Sequence, residues 1–446
     1  MHGNFSKRFV LLVAVLALGL SVCVGAAFAN AQKEQGPVTL TVWTDFVKGS
    51  EVEHYNAWQE ITTAFEKENP NITIKMEAFS FDQHNTTVKM AVQAGTGPDI
   101  LESQVGADAQ DKYFRAGQFI DLAPIAKKLG WFNRYEPWVL AFPNMAYAKS
   151  TDWDGPKLAV IPQWLNLLGF YYNRTLFNKL GIAEPTTWDE FQNALDTLKK
   201  NGITPIAFGN QEQFQFLHMC WAAMHAAVPP ARIKAWYYMK DTSVKWTDPD
   251  FIKGITWLQS LATEKHWVND DFNAVSRNDV YNMIFSGKFG GTFIGTWAIQ
   301  ELSNGPVEIG YMPIPMMDPS APKGIVGDMG WGFGILSASK HQDAAIKLLD
   351  FMTTPAVGRI WFENHAMPAM KFDPTGIAVP KLQQEVLDKV KGREIGQFLD
   401  TVAPGLIDVA KIEGQKMMNG LETPMDFATK CQAVMDDWIT KQKANQ

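Results

Sequence analysis

The chain has 446 residues, of which 12% are aromatic and 16 are Trp, and a formal net charge of −7. Removing a leader that carries Lys7 and Arg8 and no acid takes the charge to −9. That balance argues against nucleic acid or an anionic membrane surface as partner, and the aromatic content argues against disorder.

Residues 1–31 read as a secretory signal peptide. Lys7 and Arg8 precede an apolar run over 9–24, and small residues follow at Ala27-Phe28-Ala29 or Ala29-Asn30-Ala31. The run is too short for a comfortable membrane span. About 415 residues remain, enough for two or three domains. Leu20-Ser21-Val22-Cys23 is a faint likeness to a lipoprotein box with a bulky Val22. Export to the periplasm is therefore the expectation, with lipid anchoring at Cys23 as the alternative. Cys220 and Cys431 sit among apolar residues, which favours buried free thiols over a disulfide.

The alternation over 38–42 predicts a strand. The pattern over 53–68 predicts a helix with Trp58, Ile61 and Phe65 on one face, stopped by Asn69-Pro70. A strand over 72–76, a helix over 82–94 closed by Gly95, and a strand over 98–101 follow. Strands alternating with helices predict a parallel α/β sheet. The pattern restarts with a strand over 167–172. Thr187-Trp188-Asp189-Glu190 then forms a capping box before a helix whose apolar face carries Trp188, Phe191, Leu195 and Leu198. A strand over 203–208 and helices over 341–353 and 425–441 complete the reading. No Pro/Gly/Ser linker separates the halves, so several short crossings between lobes are expected.

An exported chain rich in Trp suggests sugars, because flat indole faces stack on the C–H faces of pyranose rings. Motifs for catalysis are missing. There is no HExxH, no metal-ligand spacing around His218 and His225, no G-x-S-x-G elbow and no P-loop, so neither metal nor cofactor is expected. A glycosidase needs only two facing carboxylates, and no spacing points to such a pair. The glycine-rich stretch 327–334 lacks the nucleotide fingerprint, carries Trp331 inside it, and reads as a hinge or turn.

Several stretches resemble one family. They are Val42-Trp43-Thr44-Asp45 before a helix ending Phe65-Glu66-Lys67-Glu68-Asn69-Pro70, and Ala94-Gly95-Thr96-Gly97-Pro98-Asp99-Ile100. Further on come Phe170-Tyr171-Tyr172-Asn173-Arg174, Pro185-Thr186-Thr187-Trp188, Gly290-Gly291-Thr292 with Gly295-Thr296-Trp297, and Gly310-Tyr311-Met312-Pro313. In family order and spanning nearly the whole mature chain, they resemble the extracellular solute-binding proteins of bacterial sugar ABC importers, the family that includes maltose-binding protein.

The resemblance implies an α/β fold of two discontinuous, hinge-connected lobes, the type II periplasmic-binding-protein fold. It implies an N-terminal lobe of 37–163 plus 333–368, a C-terminal lobe of 168–326 plus 374–446, and crossings near 164–168, 326–332 and 367–375. It further implies a sugar or small oligosaccharide bound between the lobes, closure on binding, ABC permease subunits as partners, a monomer, and no enzymatic activity.

The resemblance also places candidate ligand residues. Trp43 and Asp45 follow the first strand, with core packing of Trp43 and helix capping by Asp45 as the alternative. Glu102, Ser103 and Gln104 form the next loop, where maltose-binding protein carries an aromatic and this chain does not; Asp99 reads as structural. Trp164 is a stacking candidate with hinge packing as its alternative. Asn166 stands where the family often carries an acid. Gln211, Glu212 and Phe214 form a second-lobe loop, Phe214 serving as platform or core. Trp297 is the leading stacking ring, its small neighbours leaving room for a ligand. Asp328 and Trp331 lie in the glycine-rich stretch, whose glycines would let backbone approach the ligand. His365 and Met367 are weaker candidates. Trp188, Trp257 and Trp438 read as core. Two rival readings are a secreted glycosidase and a same-fold binder of another solute, such as a polyamine or glycerol phosphate.

Overall fold

The computed structural model describes residues 36–48, 52–106, 110–136, 139–140, 157–237, 241–329, 331–396, 398 and 402–444. The leader expected over 1–31, with Cys23, and Gly330 of the glycine-rich stretch lie outside the described residues.

Twelve strands occur among these residues. They are β1 Val38–Thr44, β2 Ile72–Ala78, β3 Ile100–Gln104, β4 Ile161–Pro162, β5 Asn166–Leu167 and β6 Gly169–Asn173. The rest are β7 Thr204–Ile206, β8 Phe289–Ile294, β9 Ile309–Met312, β10 Gly324–Asp328, β11 Trp331–Ile335 and β12 Glu394–Gly396. They form a five-stranded sheet in the order β2-β1-β3-β11-β4, a three-stranded sheet β12-β10-β5 and a four-stranded sheet β7-β8-β6-β9.

In the first sheet β1, β2 and β3 are parallel, as the strand–helix alternation predicts. The expectation of an all-parallel sheet needs correcting, because β11 enters antiparallel between β3 and β4. Its hydrophobic run Trp331, Phe333 and Ile335 arrives from the far end of the chain and supplies core that the first three strands cannot. Phe333 lies flat against Trp58 of the Val52–Glu68 helix, with centroids 5.3 Å apart. Trp58, Ile61 and Phe65 of that helix are all buried. In the four-stranded sheet β6 is antiparallel to both β8 and β9, and only β7 and β8 run parallel.

The Thr187 capping box forms as read. Glu190 N donates to Thr187 Oγ1 at 3.3 Å, and Thr187 N donates to Glu190 Oε2 at 3.1 Å. Phe191, Leu195 and Leu198 are buried, while Trp188 at the first turn is half-buried and meets Trp257 edge-on at 5.0 Å. Helices Phe214–Ala227 and Pro249–Thr263 approach so closely that a Cβ at Gly254 would stand 2.6 Å from Ala223 O. Cys220 and Cys431 are free and buried, and burial raises both thiols above their ordinary range.

The chain leaves the first sheet after β4 and enters the three-stranded sheet at β5. It returns through β10 and β11. The glycine-rich stretch thus supplies the end of β10 and most of β11, strands of two different sheets, with the crossing between them. Its glycines meet packed neighbours: a Cβ would stand 2.6 Å from Val160 at Gly332, 2.7 Å from Ala159 O at Gly334 and 2.6 Å from Asn166 O at Gly327. They permit close strand packing where backbone approach to a ligand was expected. A third segment runs beside the first, with Leu165 N donating to Met367 O and Ala369 N to Gln163 O.

Candidate ligand-binding site

The carboxyl ends of β1 and β3 and the start of β11 lie at one edge of the first sheet, the usual place for ligands in α/β folds. Asp45, half-buried, has its amide donating to Glu102 Oε2 at 2.8 Å. Glu102 is fully buried, so this carboxylate holds the turn after β1. Gln104 stands opposite Trp331 in the β3–β11 register. The Trp331 ring is 8% exposed and meets His84 at 5.4 Å. His84 Nε2 pairs with Glu102 O at 2.9 Å, and burial lowers its pKa, which keeps it neutral. Trp43 is half-buried, donates Nε1 to Glu77 Oε2 at 2.9 Å and packs edge-on to Phe79. Asp99 is structural, as read: its carboxylate accepts from Thr41 N and from Ser339 Oγ.

At the crossing, Asn166 and Asp328 are register partners between β5 and β10, so two candidates far apart in sequence become neighbours. Trp164 is 3% exposed and lies among His54 at 4.4 Å, Trp361 at 5.2 Å and Phe46 at 5.6 Å. Those surroundings favour the packing alternative given for it. Met367 is buried beside the same crossing, and His365 Nδ1 pairs with Gln383 Oε1 at 3.1 Å.

Trp297, in the turn that follows β8, is half-buried. Its ring lies 5.1 Å from His218 and 6.5 Å from Phe398. Gly295 is small for a different reason from the one read in the sequence: a Cβ there would stand 2.0 Å from the Trp297 ring, so the indole folds over its own backbone. Thr296 ties this turn to the crossing, donating Oγ1 to Leu165 O and accepting from Leu167 N. Gln211 and Glu212 are exposed, and Glu212 accepts from Arg277 N at 3.1 Å. Phe214 is half-buried with Lys411 Nζ 3.3 Å from its ring centroid and Arg277 at 5.9 Å.

His218, Phe398, Arg277 and Lys411 were missed by sequence reasoning. His218 had a signal: it follows Phe214 by four residues and therefore shares its helix face. The others converge from distant segments. Arg277 and Lys411 add two cations beside Phe214, where the candidates read from the sequence are Gln211 and Glu212.

Residues 48–359 match the family model described as bacterial extracellular solute-binding protein. The chain belongs to that family. As a solute-binding protein it is a binder and not an enzyme, and no helix among its described residues is long and apolar enough to cross a membrane. It is similar to a multiple sugar-binding protein of Streptococcus mutans, 25% identical over 71% of this chain and 74% of that protein. It also resembles a probable sugar-binding periplasmic protein of Brucella suis, 27% identical, the match covering 65% of each chain. A solved structure of a chitin oligosaccharide binding protein superposes with a TM-score of 0.77 at 23% identity, covering 90% of this chain and 98% of the other. The fold is accordingly the two-lobe, type II solute-binding fold.

The solute-binding protein has one titrating group of note beside Trp297. His218 is pushed down to about 3, by burial first and then by Arg277 and Lys411. An unfolded histidine titrates near about 6.5. Between those values the unfolded chain takes up a proton that the folded chain refuses. The stability contribution is therefore present above about pH 6.5 and is lost as the pH falls toward the folded value. Urea titrations should show about 1–2 kcal/mol less stability from this group at pH 5 than at pH 7. His218→Gln should flatten that difference, and an equal pH effect in both proteins would assign it to another group.

Proposed function

We propose that this solute-binding protein is the sugar-binding component of an ABC importer. The leader exports it to the periplasm. There it works as a monomer, takes a sugar or small oligosaccharide between its lobes and hands it to the membrane permease subunits. The lobes would be 37–163 with 333–368 and 168–326 with 374–446, moving about the crossings near 164–168, 326–332 and 367–375. Open and closed states lie close in energy, and a ligand that touches both lobes only in the closed state selects that state.

The observation that carries the reading is the half-exposed indole of Trp297, braced by His218 and Phe398 and fastened through Thr296 to the crossing. A braced aromatic face with amides and carboxylates nearby suits a pyranose ring. Asp45, Gln104, Asn166 and Asp328 would bind hydroxyls. The names of the similar proteins, which bind multiple sugars or chitin oligosaccharide, support the same class.

Arg277 and Lys411 beside Phe214 favour a second reading, a sugar or polyol bearing an acidic group such as glycerol phosphate. They count against a polyamine. A thermal-shift screen of mono-, di- and trisaccharides, glycerol phosphate and polyamines separates these readings. A neutral oligosaccharide well above its Kd should raise the melting temperature by several degrees. A response confined to glycerol phosphate would establish the second reading, and one confined to polyamines would overturn both.

A further inference from the structure

A cavity of about 450 Å³ opens in the second lobe, lined by none of the cleft candidates. Its walls are the turn before the Trp188–Lys200 helix, the segment that follows β9, and the chain beyond the Lys381–Val390 helix. The volume falls within the range of about 300–1,000 Å³ typical of small-molecule sites.

The lining has an unusual chemistry. Trp188, Met312 and Met317 give it an apolar surface, and four further residues are prolines, which have no N–H to offer. The charged donors of the lining are its cations, Lys323, Lys389 and Arg393. Lys389 is already committed, donating to Glu184, Glu385 and Tyr311 O. Arg393 is not: its Nε donates to Lys389 O at 2.7 Å, which fixes the guanidinium plane, and no carboxylate among the described residues pairs with it. Burial holds this guanidinium below the usual arginine range. Lys323 stands exposed at the rim, with no ion pair among the described residues. Of the acids, Glu184 is taken by Lys389 and by the Tyr172 hydroxyl at 2.7 Å, and Asp189 is exposed at the first helical turn.

A half-buried guanidinium without an acid is costly unless an anion answers it, and its planar fork matches a carboxylate. We propose that this cavity is a second binding site, for a small organic acid with an apolar body and one carboxylate. Arg393 grips the carboxylate, Lys323 attracts it from the rim, and Trp188 with Met312 and Met317 covers the apolar body.

Calorimetric titration of the full mature chain with phenylacetate tests this. One equivalent should bind with a Kd of about 1 mM or tighter. Arg393→Gln should weaken binding about tenfold or more, the scale of a lost charged hydrogen bond. Lys323→Gln, at an exposed position that folding does not need, should weaken it severalfold. Phenylacetamide, the neutral isostere, should fail to bind. The proposal is overturned by absent or non-saturable binding, by equal binding of phenylacetamide, or by equally effective competition from inorganic phosphate. Displacement of phenylacetate by a sugar that raises the melting temperature would overturn it too, because it would place the acid in the interlobe cleft.

Discussion

Trp297→Ala is expected to weaken oligosaccharide binding by about 2–4 kcal/mol, about thirtyfold to a thousandfold in Kd. A half-exposed indole braced by His218 and Phe398 has lost its rotamer freedom before ligand arrives, so little ordering cost remains at binding. Alanine removes the flat face and leaves Gly295 with open space above it, which a flexible side chain cannot refill in the same plane. Trp297→Phe should recover part of the loss, since a smaller ring still stacks. Calorimetry with whichever oligosaccharide gives the largest thermal shift reads this directly. An unchanged Kd in a Trp297→Ala protein of normal melting temperature would remove Trp297 from the site and weaken the sugar reading with it.

Trp361→Ala is expected to have the largest effect on stability. Trp361 is fully buried among Trp164, His54 and Phe46, and its Nε1 donates to Gln163 Oε1 at 3.1 Å. Large-to-small changes at such positions cost about 3–5 kcal/mol, and the orphaned Gln163 oxygen adds about 1–3 kcal/mol. The cluster joins the Pro355–Glu363 helix to the segment that leaves β4, so its loss loosens the crossing as well as the core. Urea unfolding followed by tryptophan fluorescence should show a much earlier midpoint. Trp361→Phe should retain most of the packing and lose the hydrogen bond, costing about 1–2 kcal/mol. A loss below about 1 kcal/mol in the alanine variant would mean that the cluster is already loose in the native protein.

What the sequence makes legible is local. The period of β1, the apolar stripe of Trp58, Ile61 and Phe65, and the reciprocal bonds of Thr187 and Glu190 depend on residues within a turn or two of each other. The antiparallel entry of β11 is not local, since its partner β3 lies more than two hundred residues earlier. The glycines of 327–334 show why composition misleads: the same residue type serves a bend, a ligand or a tight strand contact, and only the neighbouring Val160, Ala159 and Phe119 decide which. The site divides in the same way. Family likeness brings forward Asp45, Asn166, Trp297 and Asp328, and the fold makes register partners of Asn166 and Asp328. The cations around Phe214 come from segments with no pattern of their own, so nothing in the sequence announces them.

The place of β11 in the first sheet also sets a timetable. Its slot lies between β3 and β4, so the sheet has a gap in its interior until residues 331–335 have been made. Long-range pairing of this kind is slow to form. The N-terminal third therefore cannot lock into its final form until nearly three quarters of the chain has been made.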